Sequence, residues 1–522
     1  MILIKSILKD CFILFVLMHT SILLSQQATP LYEIDDKNHV MDKKYWEVWN
    51  KTVQKTIDSN IEKYRKADAL IKIDNIKKGT KVKVEQISHK FIFGAHIFNF
   101  NQLGSTEMND KYKSLYGTLF NSATVAFYWK KFEPNPGDMR FEEKYEDTQH
   151  FWNNLENAQS HTNWRRPSTD PVIAFCKEKG IRIHGHPMIW GNRHWHSPEW
   201  LFDSLPKGNE KIFIDSLMYQ KANDKNNVIF DGFTDKYRNL SDEELINKLP
   251  KFSEDINTLF KMRVYALAAK YKNDINSWDV VNESAVDYGK GVLSPNKKLC
   301  KSSYGIMPGD YPYNAFKEAQ SILPENVMLN INDYKNDKDY INEIKSLLDR
   351  GCRIDIVGSQ MHLFDPRQCL SISLGDSIET PTIVWNKMKL LTQAGKPIHL
   401  SEITITAPEN SEKGLLIQSI ITQNLYRLWF SIPSMMGITW WNVVDNCGAP
   451  GEPSTSGLFT RDMKEKPVYY TLNNLINNEW KTNITCKADK NGNISFRGFK
   501  GEYILSWKDK NGKNNSKRIV VE

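Results

Sequence analysis

Eight short apolar segments recur along this chain of 522 residues, at 91–96, 122–129, 181–190, 275–283, 327–334, 354–362, 398–403 and 436–442. The stretches between several of them, such as 255–271, 312–322, 339–350 and 415–429, repeat apolar residues at helical spacing. Runs that are apolar on both faces need cover on both faces, and alternation with helices supplies it in a parallel sheet. Eight such alternations predict an α/β chain closed into a parallel (β/α)8 TIM barrel. The length suffices for one large domain plus appendages.

Two of the eight segments end in a carboxylate. Trp278-Asp-Val-Val-Asn-Glu283 closes the fourth and Ile398-His-Leu-Ser-Glu402 lies in the seventh. Burying an acid is costly unless it has a partner or a task. In this barrel both acids stand at C-terminal strand ends, where active sites are built, and strands four and seven face each other across the mouth. Two carboxyls in unlike environments can divide the work of glycoside cleavage, one protonating the leaving oxygen and one meeting the charge at the anomeric carbon. Asn282 is placed to donate to a sugar hydroxyl. The plain alternative for Glu283 and Glu402 is a pair of structural buried acids.

The rest of the chain divides into an export signal at 1–25, an N-terminal helix and hairpin extension at 26–88, the barrel at 89–478 and a small C-terminal β appendix at 479–522. Lys5 and Lys9 precede the apolar run from Cys11 to Leu24, which is too short to span a bilayer comfortably. A secreted protein, extracellular or periplasmic and without membrane insertion once the signal is removed, is therefore expected. Residues 43–69 carry helical periodicity, and 70–86 alternate around Lys78-Gly79 as a hairpin would. Beyond Thr482, alternating pieces separated by Asn-Gly and Lys-Gly turns predict a little β unit with Phe496, Phe499, Tyr503 and Trp507 as its own core. Two excursions, 147–168 and 204–251, interrupt the barrel pattern; each is read equally as a cleft-shaping loop or as inert surface. The net charge of +7 comes from 69 basic and 62 acidic residues without a basic stripe, which argues against nucleic acid as a partner. No Cys-x-x-Cys pair or His/Asp ligand cluster points to a metal or cofactor. A monomer acting on a polysaccharide or oligosaccharide is expected.

Several motifs now agree at once. Gly185-His186, Trp278-Asp-Val-Val-Asn-Glu283, Asn332-Asp-Tyr334, Gly358-Ser-Gln360-Met-His362, Ser401-Glu402 and Gly437-Ile-Thr-Trp-Trp441 resemble the signature segments of family 10 glycoside hydrolases, mostly endo-β-1,4-xylanases. The resemblance runs from about Phe91 to Tyr470. It implies a retaining double displacement with Glu283 as acid/base and Glu402 as nucleophile. It also implies a sugar site formed by His186, Trp190, Asn282, Tyr334, Gln360, His362 and Trp441.

Three departures stand out. Where the family usually carries Glu, Asn and Lys on the second strand, this chain has Thr124, Val125 and Tyr128, of which Tyr128 offers a ring and a hydroxyl. Gly191 replaces a usual His, and Thr404 replaces a usual Asp, which is expected to remove a partner from His362. The cleavage machinery is thus expected to match the family while the glycone side is not. The rival readings are a hydrolase of another β-glycan and a non-catalytic glycan-binding barrel.

Overall fold

The eight apolar segments form eight strands: Ile92–His96, Ser122–Ala126, Arg182–His186, Ser277–Asn282, Met328–Asp333, Ile356–Leu363, Ile398–Ile405 and Met435–Trp440. In the computed structural model, which describes residues 36, 39–161, 164–223, 228–509 and 511–522, each strand pairs in parallel with the next. The eighth returns to the first, with Gly437 opposite Ile92, and closes the (β/α)8 barrel. The expected export segment at 1–25 lies outside the described residues. Helices such as Pro250–Tyr271, Lys338–Asp349 and Glu412–Ser431 cover the outside of the barrel. Their apolar faces and the strands share one continuous core.

Two of the irregularities in the ladder help to decide which side chains reach the cleft. Between strands four and five the register skips Val280, and between strands six and seven it skips Ser401. A regular strand sends neighbours i and i+1, or i and i+3, to opposite faces. An extra residue on one strand shifts that phase. Asp279 and Asn282 therefore both serve the barrel interior, and so do the consecutive residues Ser401 and Glu402, each of which reaches Asn332.

The two ends of the chain depart from the expected division. Lys66–Lys72 and Lys81–His89 do not pair as a hairpin. The first pairs antiparallel with Asn493–Phe499, and the second lies between Asn483–Lys487 and Gly501–Lys508. Alternation sets the two faces of a strand but does not name its partner, and here the partners lie some four hundred residues away. The N-terminal strands and the C-terminal appendix thus share one small core, with Val82, Val84, Ile494, Tyr503 and Leu505 buried. Phe499 joins the barrel core instead, its ring 6.2 Å from Phe430. Ahead of these strands, helices Lys43–Val48 and Lys51–Arg65 dock on the barrel helix Glu412–Ser431. Asn424 of that helix donates to Tyr45 at 2.7 Å and accepts from Gln54 at 2.8 Å.

Candidate active site

A cleft of about 1290 Å³ opens over the C-terminal strand ends, with Glu283 and Glu402 both in its lining. Glu283 leaves strand four in the left-handed region, at φ +56. For a residue other than glycine that conformation costs on the order of 1 kcal/mol. It is held by the Glu283 N–H, which donates to the Asn332 carbonyl at 2.7 Å. The next turn is held by the Asp333 carboxylate, which accepts the Ala285 N–H at 2.9 Å.

The Glu283 carboxyl accepts from Trp190 Nε1 and from Gln360 Nε2, each at 3.1 Å. Burial, then the nearby Glu402 and Asp333 carboxylates, push its pKa up to about 8, against the lowering effect of those two hydrogen bonds. Asp333 is itself pushed up to about 6, chiefly by burial. Glu402 is surrounded by donors. Its Oε1 accepts from Asn332 Nδ2 at 2.7 Å and lies 3.7 Å from His186 Nε2, while Oε2 lies 3.3 Å from His362 Nε2.

The two carboxyls are joined through three amides. Gln360 Nε2, bonded to Glu283, also reaches Asn282 Oδ1 at 3.3 Å. Asn332 Nδ2, bonded to Glu402, donates to the same oxygen at 2.9 Å. The Asn282 oxygen is thereby committed to the protein, which orients its NH2 as the group left for a ligand. Ser401 Oγ donates to Asn332 Oδ1 at 2.5 Å and fixes that amide in turn. Below this network Asp279 Oδ2 accepts from both His184 Nε2 and His186 Nδ1, each at 2.8 Å. Burial favours the neutral acid, but the two imidazoles outweigh it and hold Asp279 well below the usual carboxylate range. Burial likewise opposes charge on His186, yet Glu402 and Asp279 raise its pKa above the ordinary value.

The expected site residues therefore converge, with some changes of part. Trp190 spends its N–H on Glu283 as well as presenting a ring. Trp441, 5% exposed, packs edge-on to His186 and Phe98 and donates to Glu452 Oε1 at 3.2 Å. Tyr334 stands half exposed at the mouth, its hydroxyl 3.3 Å from that of Tyr304. Tyr128 lines the cleft with its ring 5.5 Å from His186, and burial raises its pKa well above the usual phenol range. Of the three departures on the second strand, Tyr128 alone lines the cleft, while Val125 packs into the barrel core. A β-carbon at Gly191 would sit 2.8 Å from the Tyr311 hydroxyl, so a side chain there requires Tyr311 to move.

The expectation that Thr404 leaves His362 without a partner is overturned: the Thr404 hydroxyl lies 2.9 Å from His362 Nδ1. A hydroxyl can donate or accept, so it replaces an acid as a partner while bringing no charge. Several site residues escaped the sequence reading. Asn332 and Asp279 lie inside quoted motifs, and only the skip at Val280 shows that Asp279 shares the interior with Asn282. Glu452 comes from the loop after strand eight and Trp164 and Arg166 from the excursion at 147–168, where nothing in the local sequence marks a cleft residue.

Residues 85–475 match the profile described as Glycosyl hydrolase family 10. Endo-1,4-beta-xylanase A of Halalkalibacterium halodurans is 28% identical over 214 residues, 40% of this chain and 43% of that protein. Endo-1,4-beta-xylanase A of Thermotoga neapolitana is 27% identical over 335 residues, 61% of this chain and 26% of that protein. The chain thus spans less than half the length of either of these two curated relatives. A solved structure, xylanase B from Clostridium stercorarium F9, is 19% identical, with a TM-score of 0.48 over 73% of this chain and 96% of its own. The profile match takes in all eight barrel strands and both glutamates, and the chain belongs to glycosyl hydrolase family 10.

Proposed function

We propose that this chain is a retaining glycoside hydrolase that cleaves β-1,4 linkages of xylan or a related plant polysaccharide, with Glu283 as acid/base and Glu402 as nucleophile. The observation that carries this reading is the unequal treatment of two coupled carboxyls. Glu283 is pushed up to about 8 and so holds its proton at neutral pH. Glu402 accepts from the Asn332 amide and has the His186 and His362 imidazoles beside it, at 3.7 and 3.3 Å. In the first step Glu402 attacks the anomeric carbon while the Glu283 proton passes to the leaving oxygen, giving a glycosyl ester. In the second, Glu283 takes a proton from water as that water displaces Glu402. The Asn282 NH2 is oriented to bond a sugar hydroxyl next to the reacting carbon.

Reducing-sugar release from xylan, arabinoxylan, glucuronoxylan and mixed-linkage glucan tests the reading. Release from the xylans, lost in both Glu283→Ala and Glu402→Ala, is the expected result. Cleavage that survives both substitutions, or that is confined to the glucan, overturns it. The reading also places the protein outside the cytoplasm as a monomer. N-terminal mass analysis and light scattering of the mature chain check those two points.

A further inference from the structure

We infer that Trp164 and Arg166 form a binding site for a carboxylate, carried by a uronic acid unit of the glycan. This deepens the function proposed above and rests on it. Both residues come from the excursion at 147–168 and line the same cleft as the two glutamates. Their backbone is pinned to the barrel. Gln102 Nε2 donates to the Arg165 carbonyl at 2.8 Å, and both terminal nitrogens of Arg140 donate to the Arg166 carbonyl at 3.2 Å. The Arg166 guanidinium lies 4.8 Å from the Phe98 ring centre and 5.1 Å from that of Trp164. Phe98 in turn packs 5.9 Å from Tyr128 and 5.2 Å from Trp441, which sets the pair beside the reacting centre.

What separates these two residues from the rest of the wall is what they lack. Arg166 Nη1 and Trp164 Nε1 are buried donors with no hydrogen-bond partner among the described residues. Three other cations lining the cleft are matched: Lys130 pairs with Glu199, Arg165 with Asp147 at 3.2 Å and Lys387 with Glu379 at 2.6 Å. Glu452 lies close enough to influence Arg166, but its oxygens already accept from Trp441, Asn442 and Ala449. A buried donor without an acceptor is costly, and more so when it is charged. A group that only accepts, carries negative charge and is planar is the kind a guanidinium takes. A neutral sugar hydroxyl brings no charge to the guanidinium.

The test compares acidic oligosaccharides from 4-O-methylglucuronoxylan with neutral xylo-oligosaccharides of the same backbone length, using the full chain. The ratio of kcat/KM on acidic to neutral substrate is expected to fall about tenfold in Arg166→Met and less in Arg166→Lys, as loss of a charge-assisted bidentate contact implies. In parallel, calorimetry in the inactive Glu402→Ala background should show the acidic oligosaccharide binding about tenfold more weakly once Arg166→Met is added, and more weakly in high salt. Thermal melting verifies that each variant folds; if Arg166→Met does not, Arg166→Lys carries the comparison. An unchanged ratio, or an equal loss on both substrates, overturns the carboxylate site. Should the wild type cleave no xylan at all, the proposed function fails, and the calorimetric arm still decides whether Arg166 binds the acid.

Discussion

On the floor of the cleft, Asn282, Asn332 and Gln360 bond one another and the two glutamates, so that each amide hydrogen bond fixes the next. On the wall, Trp164 and Arg166 hold donors that nothing among the described residues answers. The floor comes from the ends of strands four to seven, where neighbouring ladders leave little freedom. The wall comes from an excursion between strands two and three. A site whose polar groups satisfy one another is preorganised for charge that develops during reaction. A site left unsatisfied is finished by its ligand. The contrast suggests that one region sets the chemistry and the other sets which glycan receives it, with rigid scaffold and variable loop sharing the work in the usual way.

If the floor holds the chemistry, its acids carry the largest effects. Glu402→Ala should lower kcat roughly 10⁴-fold or more, since removing a nucleophile leaves only binding and electrostatics to act. Initial rates on neutral xylo-oligosaccharides measure this; a loss confined to KM would move Glu402 from the chemistry to binding. Glu283→Gln should cost about 10²–10⁴-fold on natural linkages, the range of general acid catalysis, and less on aryl glycosides whose leaving group needs no proton. The pH profile gives the sign. In the proposed mechanism Glu283 is an acid while protonated, so wild-type kcat/KM should fall as pH rises through about 8 and the Gln variant should lack that limb.

The same group should act on stability. Its folded pKa is raised, so between about 4.5 and 8 the folded state holds a proton that the unfolded state releases, and stability declines as pH rises through that window. Glu283→Gln removes this penalty and should raise Tm at pH 8 to 9 by roughly 1–3 °C. Asn332→Asp probes the link between the acids. It sets a negative oxygen where Glu402 and Asn282 now find a donor, and the repulsion should cost about 30-fold in kcat.

Much of the floor was legible in the sequence because barrel strands are apolar on both faces, and a polar residue at the end of such a run stands out. Glu283 and Glu402 are visible for that reason, and the motifs around them point to the same chemistry. Asp279 was not, because reading it as an interior neighbour of Asn282 requires knowing that Val280 is skipped in the ladder, and period-two reasoning assumes that no residue is. The supposed hairpin at 70–86 failed for a related reason, since pairing is a tertiary choice among several available edges. The wall was least legible. Trp164 and Arg166 sit in a polar excursion whose composition is that of any surface loop, and their part depends on which donors remain unanswered after folding.

The smallest predicted effect separates floor from wall most cleanly. Thr404 touches His362 and His362 touches Glu402, at 2.9 and 3.3 Å. The Thr404 hydroxyl can donate to His362 Nδ1 or accept from it, and in either case it fixes the ring that faces Glu402. Thr404→Val keeps the branched shape and removes the hydroxyl, leaving one ring nitrogen unanswered at a cost of about 1 kcal/mol, near fivefold in rate. Because the effect passes through Glu402, it should lower kcat/KM by the same factor on acidic and neutral oligosaccharides. The ratio that Arg166 is inferred to control should not move. A Thr404→Val enzyme that changed the ratio as Arg166→Met does would show floor and wall acting as one site, and the division of labour drawn between them would have to be abandoned.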